Sequence, residues 1–139
     1  MEDYKELVAA AISARKMAYT PYSGFGVGAA LLTKSGKIYK GCNIENATFT
    51  PTNCAERTAF FKAVSEGERA FDCIAIVGGR AGEPVSGLCP PCGVCRQVMM
   101  EFCDPATFRI ILGKNPEQWE VFTLKDLLPL GFSKKNMEE

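Results

Sequence analysis

The sequence predicts an α/β fold, a three-layer α/β/α sandwich around a mixed five-stranded sheet, and three observations lead there. Segments with apolar residues at helical spacing alternate along the chain with short apolar runs that are typical of strands. Two of the strands form a hairpin, and their antiparallel pairing makes the sheet mixed. The chain has 139 residues, a length that favours a single domain, residues 1–139, around one core.

The first part of the chain is expected to hold a helix and a hairpin. The helix spans residues 3–19 and is stopped by Pro21, and its apolar residues recur at helical spacing: Leu7, Ala11, Ala14 and Ala18. Residues 25–33 alternate with period two and predict a strand. A Lys-Ser-Gly-Lys turn then returns the chain into a second strand over residues 37–44.

A second helix is predicted over residues 54–66, after a polar connection. Asn53 is placed as its N-cap, because asparagine is among the preferred residues at that position. Phe60, Phe61 and Ala63 are expected to face the core.

The second half of the chain continues the alternation of strands and helices. Residues 73–77 form a continuous apolar run, the pattern of a strand covered on both faces. A loop rich in glycine and proline, residues 78–91, leads into a third helix. The remaining predicted elements are that helix over 92–102, strands over 108–112 and 119–123, and a short helix over 124–128.

The charge balance excludes a protein that binds polyanions. The chain carries 16 Lys and Arg against 16 Asp and Glu, whereas binding to a nucleic acid polymer draws on a surplus of basic side chains. A free nucleoside or base needs no such surplus, so a small molecule of that kind remains possible as a substrate.

The chain has no histidine and seven cysteines. Ser-His-Asp and Cys-His catalytic pairs are therefore excluded, and a transition metal must be held by Cys, Asp or Glu. Seven cysteines are too few for a disulfide-stapled secreted scaffold. No signal peptide and no apolar stretch long enough for a membrane span is present, so we expect a cytoplasmic protein with no membrane partner.

Two short motifs point to a metal centre. Cys54-Ala55-Glu56 and Pro91-Cys92-Gly93-Val94-Cys95 each open a predicted helix, where free N–H groups and the helix dipole stabilise thiolates. Two cysteines three residues apart can both reach one metal ion, and a third can come from the facing helix. Three ligands and one open position describe a catalytic zinc site.

Two other interpretations of the cysteines stay open at this point. Cys89 lies three residues before Cys92 and could complete a closed, structural zinc site of four cysteines. The pair Cys92 and Cys95 could also be a redox dithiol, although such a pair normally follows a strand directly and would leave Cys54 and Glu56 without a role.

The motif pair, with this spacing, resembles the cytidine deaminase family of zinc-dependent deaminases. The likeness runs nearly from end to end, through these stretches: Ala18-Tyr19, Pro21-Tyr22-Ser23, Phe25, Val27-Gly28-Ala29-Ala30, Gly41-Cys42-Asn43-Ile44-Glu45-Asn46-Ala47, Asn53-Cys54-Ala55-Glu56-Arg57-Thr58-Ala59, Pro91-Cys92-Gly93-Val94-Cys95-Arg96-Gln97, Leu127-Leu128-Pro129 and Phe132. The resemblance implies a cytidine deaminase-like catalytic domain. Its reaction would convert cytidine and deoxycytidine to uridine and deoxyuridine plus ammonia, in pyrimidine salvage.

The resemblance also implies roles for individual residues at the metal and the reacting atoms. Cys54, Cys92 and Cys95 would bind one zinc ion per subunit, and Glu56 would be the general acid/base. Three thiolates and a bound hydroxide leave zinc with excess negative charge. Arg57 resembles the arginine that offsets this charge by hydrogen bonding to the thiolates.

For the substrate, the resemblance implies that Asn43 and Glu45 read the ribose and that Phe25 packs on the pyrimidine ring. Backbone groups near Ala55 would read the base. Phe132 resembles an aromatic residue that closes the site of a neighbouring subunit, which implies a homotetramer with shared active sites.

The sequence departs from the family pattern in two places. Phe49 stands where tyrosine is frequent, and the loop before Pro91, with Cys89 and Pro90, is lengthened. A deaminase of another cytosine nucleoside, such as an aminoacyl-nucleoside antibiotic, and a non-catalytic structural zinc module are the alternative functions.

Overall fold

The computed structural model describes residues 3–138 and contains ten helices and strands. The strands are β1 (Phe25–Thr33), β2 (Ile38–Cys42), β3 (Phe71–Arg80), β4 (Arg109–Asn115) and β5 (Gln118–Thr123). The helices are α1 (Lys5–Arg15), α2 (Ala55–Ser65), α3 (Gly93–Phe102), α4 (Leu124–Leu127) and α5 (Lys134–Met137).

The five strands form one mixed sheet in the order β2-β1-β3-β4-β5. β1 is antiparallel to β2 and to β3, β4 is antiparallel to β5, and β3 and β4 run parallel. β1, β3 and β4 are largely buried because helices cover both faces of the sheet. The predicted mixed five-stranded sheet is confirmed.

Helices cover the sheet on both faces, as the three-layer prediction requires. On one face, α1 contributes Leu7, Val8 and Ala11 to a core shared with Ala75 and Val77 of β3. On the other, Phe60 of α2 and Met99 of α3 pack in a second core with side chains of β1, β3 and β4. Within residues 3–138, no helix combines the length and hydropathy that a membrane span requires.

Two helix predictions are corrected by contacts outside the helices. The first helix ends at Arg15, not at residue 19, because the backbone of Tyr19 bonds with that of Asn43 and Glu45. The second helix has Cys54 as its N-cap, not Asn53. Asn53 instead pairs through its backbone with Ile44 and through its side chain with Thr58.

Other differences from the sequence predictions concern where elements end and which of their residues face the core. Phe61 is 47% exposed, against the expected core position, whereas Phe60 and Ala63 are fully buried. β3 runs to Arg80 because its last residues pair with the start of β1. The short helix α5 was not predicted from the sequence.

Candidate active site

Three cysteines come together where two helices begin. Cys54 is the N-cap of α2 and Cys92 the N-cap of α3, and both have extended backbone. Cys95 lies in the first turn of α3, and its backbone N–H donates to the Cys92 Sγ. Both helices therefore direct free N–H groups and the positive end of their dipoles towards the sulfur atoms.

The distances between the sulfurs suit a tetrahedral zinc ion. Cys54 Sγ lies 3.6 Å from Cys92 Sγ, which lies 3.4 Å from Cys95 Sγ. Zinc–sulfur bonds of about 2.3 Å would place ligands at tetrahedral corners about 3.8 Å apart. Among the residues described, no other Cys, Asp or Glu joins this group. Cys89 lies outside this group, so three sulfurs, and not four, are spaced to hold one ion.

Hydrogen bonds from neighbouring groups, including the other two thiols, stabilise the thiolate form of Cys54. A hydrogen bond from Cys95 lowers the pKa of Cys54, and hydrogen bonds from Arg57 and Cys92 add to this against the effect of burial. The same bond raises the pKa of Cys95, which keeps its proton to donate. A zinc ion would replace such a shared proton with a stronger positive charge.

Arg57 lies against the cysteine cluster. Its Nη2 donates to Cys54 Sγ at 3.4 Å. Burial lowers the pKa of Arg57, but hydrogen bonds to Cys54 and Cys95 outweigh it, so the pKa is raised. The guanidinium therefore stays charged beside the thiols. Its Nε is buried, with no hydrogen-bond partner in the part of the chain that the structure describes.

Glu56 is the carboxyl group closest in sequence to the cluster, and it is only 4% exposed. It lies in the first turn of α2. Burial raises its pKa to about 7, and the charge of Cys54 acts in the same direction against that of Arg57. A carboxyl with this pKa can both accept and donate a proton near neutral pH.

The start of α2 is fixed by contacts that the sequence motifs did not reveal. Thr58 donates its hydroxyl to the Cys54 carbonyl at 3.1 Å and accepts the Asn53 amide at 3.2 Å. Gly41 of β2 packs on this turn so closely that an added Cβ would lie 2.4 Å from the Ala55 carbonyl oxygen. Thr58 lies one turn after Cys54 and within the stretch of residues 53–59 that resembles the family, but neither signal indicates these hydrogen bonds.

Asn43 and Glu45 lie together beyond the end of β2 and hold neighbouring backbone. Asn43 accepts from the Val27 N–H and donates to the Phe25 carbonyl, both at 2.9 Å. Glu45 accepts from the backbone N–H groups of Tyr22 and Ser23 and from the Ser23 hydroxyl.

The Ser23 hydroxyl bond is the main cause of the lowered pKa of Glu45, and the two N–H bonds assist. Glu45 is therefore held as a carboxylate. Ser23, in the Pro-Tyr-Ser turn, was not singled out as a site residue from the sequence, although it makes this bond.

The remaining predicted substrate contacts differ in their surroundings. Phe25 opens β1 and is 37% exposed. Ala55 is fully buried beneath β2. Phe132 is 59% exposed, and its carbonyl accepts from Gln97 Nε2 at 2.8 Å.

Phe49, the departure noted in the sequence, lies in a tight loop with φ of 61°. Its ring meets that of Tyr22 edge to face, with centroids 5.8 Å apart. The two rings line an open groove with Ser23, Glu45 and Thr52. A ring without a hydroxyl serves this contact, since edge-to-face packing requires no hydrogen bond.

Comparisons with known proteins agree on one family. A family profile described as "Cytidine and deoxycytidylate deaminase zinc-binding region" matches residues 1–111. A cytidine deaminase of Sporosarcina psychrophila is 50% identical over 135 residues, covering 97% of this chain and 95% of that protein. One of Halalkalibacterium halodurans is 49% identical over 137 residues, 99% of each.

Among solved structures, the crystal structure of cytidine deaminase from Burkholderia pseudomallei superposes with a TM-score of 0.82. It is 46% identical in sequence and covers 91% of this chain and 97% of that one.

Proposed function

The chain belongs to the cytidine and deoxycytidylate deaminase family, and we propose that its cysteine cluster and Glu56 carry out the hydrolytic deamination of cytidine and deoxycytidine. The products are uridine or deoxyuridine and ammonia. The observation that carries this assignment is the buried Glu56 carboxyl, which follows Cys54 by two residues, beside three thiols whose spacing fits a zinc ion. The reaction is expected to serve pyrimidine salvage in the cytoplasm, where thiol ligands remain reduced.

We propose Cys54, Cys92 and Cys95 as the ligands of one zinc ion per chain. When bound, zinc supplies Lewis acidity that makes a water molecule acidic near neutral pH. The N–H groups at the starts of α2 and α3 stabilise the ligand thiolates. Residues 1–139 act as one catalytic domain in this proposal, supported by relatives that match 97% or more of the chain.

Glu56 is proposed as the group that moves both protons. It accepts a proton from the attacking water and donates it to N3 of the pyrimidine, which makes C4 electrophilic. After water has added at C4, Glu56 takes the second proton and donates it to the departing amino group. Burial supports this role, because a dry site keeps the proton between the carboxyl group and the substrate.

The proposed substrate contacts lie at the end of β2, at the start of β1 and at the start of α2. Asn43 and Glu45 are proposed to bind the ribose, Phe25 to pack on the base and backbone groups at Ala55 to read it. The hydrogen bonds of Asn43 and Glu45 to the backbone of residues 22–27 support this proposal, since they hold these side chains in fixed positions. Fixed side chains bind a sugar at a lower entropic cost.

Arg57→Gln is expected to retain zinc and to lower kcat about tenfold to a hundredfold, the worth of one hydrogen bond to a charged group. The variant removes the positive charge that lies 3.4 Å from Cys54 Sγ. Steady-state kinetics with zinc analysis on the same sample measure the effect. Arg69→Gln, at an exposed arginine near the other end of α2, is the matched control and should match wild type. Unchanged kcat at full zinc occupancy would contradict the role of Arg57.

A homotetramer with shared active sites is also proposed, with Phe132 closing the site of a neighbouring subunit. The exposed ring of Phe132 supports this, because its own chain leaves it uncovered while Gln97 fixes its backbone. Phe132→Ala is expected to raise KM for cytidine about tenfold, as expected for lost apolar contact with a substrate. Met137→Ala, at an exposed residue of the same tail, should leave KM unchanged.

Subunit mixing tests the sharing directly. Tetramers assembled from Phe132→Ala and Glu56→Gln chains contain sites with an intact Glu56 that face an intact Phe132. Part of the activity at low cytidine concentration should therefore return on mixing. If activity equals the average of the two separate variants, each chain closes its own site and the sharing is refuted.

A further inference from the structure

The loop between β3 and α3 folds back onto the end of β3. Gly78 of β3 is the register partner of Val27, which follows Phe25 by two residues in β1. After the chain leaves β3, the Ser86 N–H donates to the Gly78 carbonyl at 3.0 Å. The loop is thereby held over this part of the sheet, and three residues later it delivers Cys89.

Cys89 and Phe25 both lie over Gly78. A Cβ added at Gly78 would lie 2.7 Å from Cys89 Sγ, 2.9 Å from Cys89 Cβ and 3.0 Å from Phe25 Cε2. The thiol and the ring therefore fill the space that a side chain at residue 78 would occupy. Residue 78 must be glycine because of this close approach. Its backbone conformation is that of an ordinary strand and does not itself require glycine.

The environment of Cys89 keeps its thiol neutral. Burial, followed by the charges of Glu56 and Cys54, raises the pKa of Cys89 to about 11. A neutral thiol packs as a small, polarisable apolar group, and sulfur makes favourable contacts with aromatic rings. Cys89, like Val27 and Cys54, is partly buried against the core that α2 and α3 form with the sheet.

The segment after Cys89 is stiff. Pro90 and Pro91 have restricted φ angles and no N–H groups, and they lead directly to the proposed zinc ligand Cys92. The carbonyl of Pro91 accepts from Arg96 Nε at 2.8 Å. Cys89 is thus held from both sides, by the Ser86 contact with β3 and by the start of α3.

We propose that Cys89 is a positioning residue, whose thiol over Gly78 sets the orientation of the Phe25 ring and so the affinity for the pyrimidine. The proposal rests on the proposed function, in which Phe25 packs on the base. It gives Cys89 a role other than ligation, in agreement with its place outside the group of sulfurs that fits zinc.

Gly78→Ala tests this proposal. The added methyl group displaces the Cys89 thiol and the Phe25 ring, and we expect KM for cytidine to rise about tenfold. Zinc content should stay at one per chain, and kcat should change much less than KM because Glu56 and the ligands are untouched. Wild-type turnover of cytidine is measured first, so that failure of the proposed function is recognised separately.

A second variant and a control make the test specific. The double variant Gly78→Ala/Cys89→Gly lacks the Cys89 atoms that the added methyl group would meet first. Its KM should therefore be close to that of Cys89→Gly alone, so that the effects of the two substitutions are not additive. Gly113→Ala is the control, because its Cβ would meet Val8 Cγ1 at 2.8 Å beneath α1. That variant should lose stability with no change in KM.

Two results would overturn the proposal. If Gly78→Ala leaves KM unchanged in a folded, zinc-loaded enzyme, Cys89 does not set the Phe25 ring. If it lowers zinc content and kcat together while KM stays constant, the contact only supports the metal loop. Should Gly78→Ala fail to fold, Cys89→Gly alone gives the answer, since a raised KM is expected there and an unchanged KM contradicts it.

Discussion

Glu56→Gln is expected to lower kcat for cytidine about 10²- to 10⁴-fold, the usual contribution of a positioned proton-transfer group. Glutamine has the same shape as the buried glutamate, but it cannot accept and return a proton. The variant should stay folded, hold one zinc per chain and bind cytidine, because the three thiols and the proposed substrate contacts are unchanged. Steady-state kinetics, zinc analysis and direct binding of cytidine measure these three properties.

The matched control for this variant is Glu101→Gln. Glu101 is an exposed residue of α3, the helix that carries Cys95, and its substitution should leave kcat within error of wild type. A Glu56→Gln enzyme with a near-normal rate would show that another group moves the proton. A variant that loses zinc as well as activity would assign Glu56 a part in metal binding instead.

Cys92→Ala is expected to lose zinc and with it a large part of the stability of the protein. The Cys92 side chain is exposed, so its truncation leaves no cavity in the core. The variant also loses the bond from the Cys95 N–H to Cys92 Sγ that caps α3, which is worth about 1 kcal/mol, so a loss well beyond that value must come from the metal. At free zinc about 1,000-fold above its Kd, bound metal stabilises the folded state by about 4 kcal/mol. Thermal unfolding with and without a chelator should show this difference in wild type and not in the variant.

Cys73→Ala separates the loss of a ligand from the loss of a cysteine. Cys73 is fully buried in β3, outside the sulfur cluster, so its truncation should lower stability through packing while zinc stays stoichiometric. Stoichiometric zinc in Cys92→Ala would contradict the ligand assignment, and lost zinc in Cys73→Ala would mean that the metal responds to general destabilisation.

The layer architecture was predictable because it depends on periodicity. The alternation of helical and apolar segments predicted five strands and their order in the chain, and the hairpin predicted a mixed sheet. Boundaries were less predictable, because contacts remote in sequence set them. Tyr19 leaves the helical path to bond with Asn43, and β3 is extended to Arg80 by pairing with the start of β1.

The grouping of the three thiols was predictable from spacing, and the surroundings of the group were not. The two cysteine motifs placed three thiols at helix starts, where the structure also has them. Burial of Glu56, and with it a pKa of about 7, depends on how α2 packs and cannot be read from one residue. Phe61 illustrates the same limit, since it looks like a core residue in sequence but faces outward.

The loop before α3 shows what resemblance alone leaves out. The motifs on either side of this loop predict neither its path nor its contacts. The path is set by the backbone bond between Ser86 and Gly78 and by the space that Gly78 leaves free.

The most direct test is the ultraviolet absorbance of cytidine incubated with purified, zinc-loaded protein, with Glu56→Gln measured alongside. Loss of the cytosine band, with release of one ammonia per uridine formed, is expected for wild type and not for the variant. The absence of any change with wild-type protein carrying a full complement of zinc would contradict the assignment of this site to cytidine deamination.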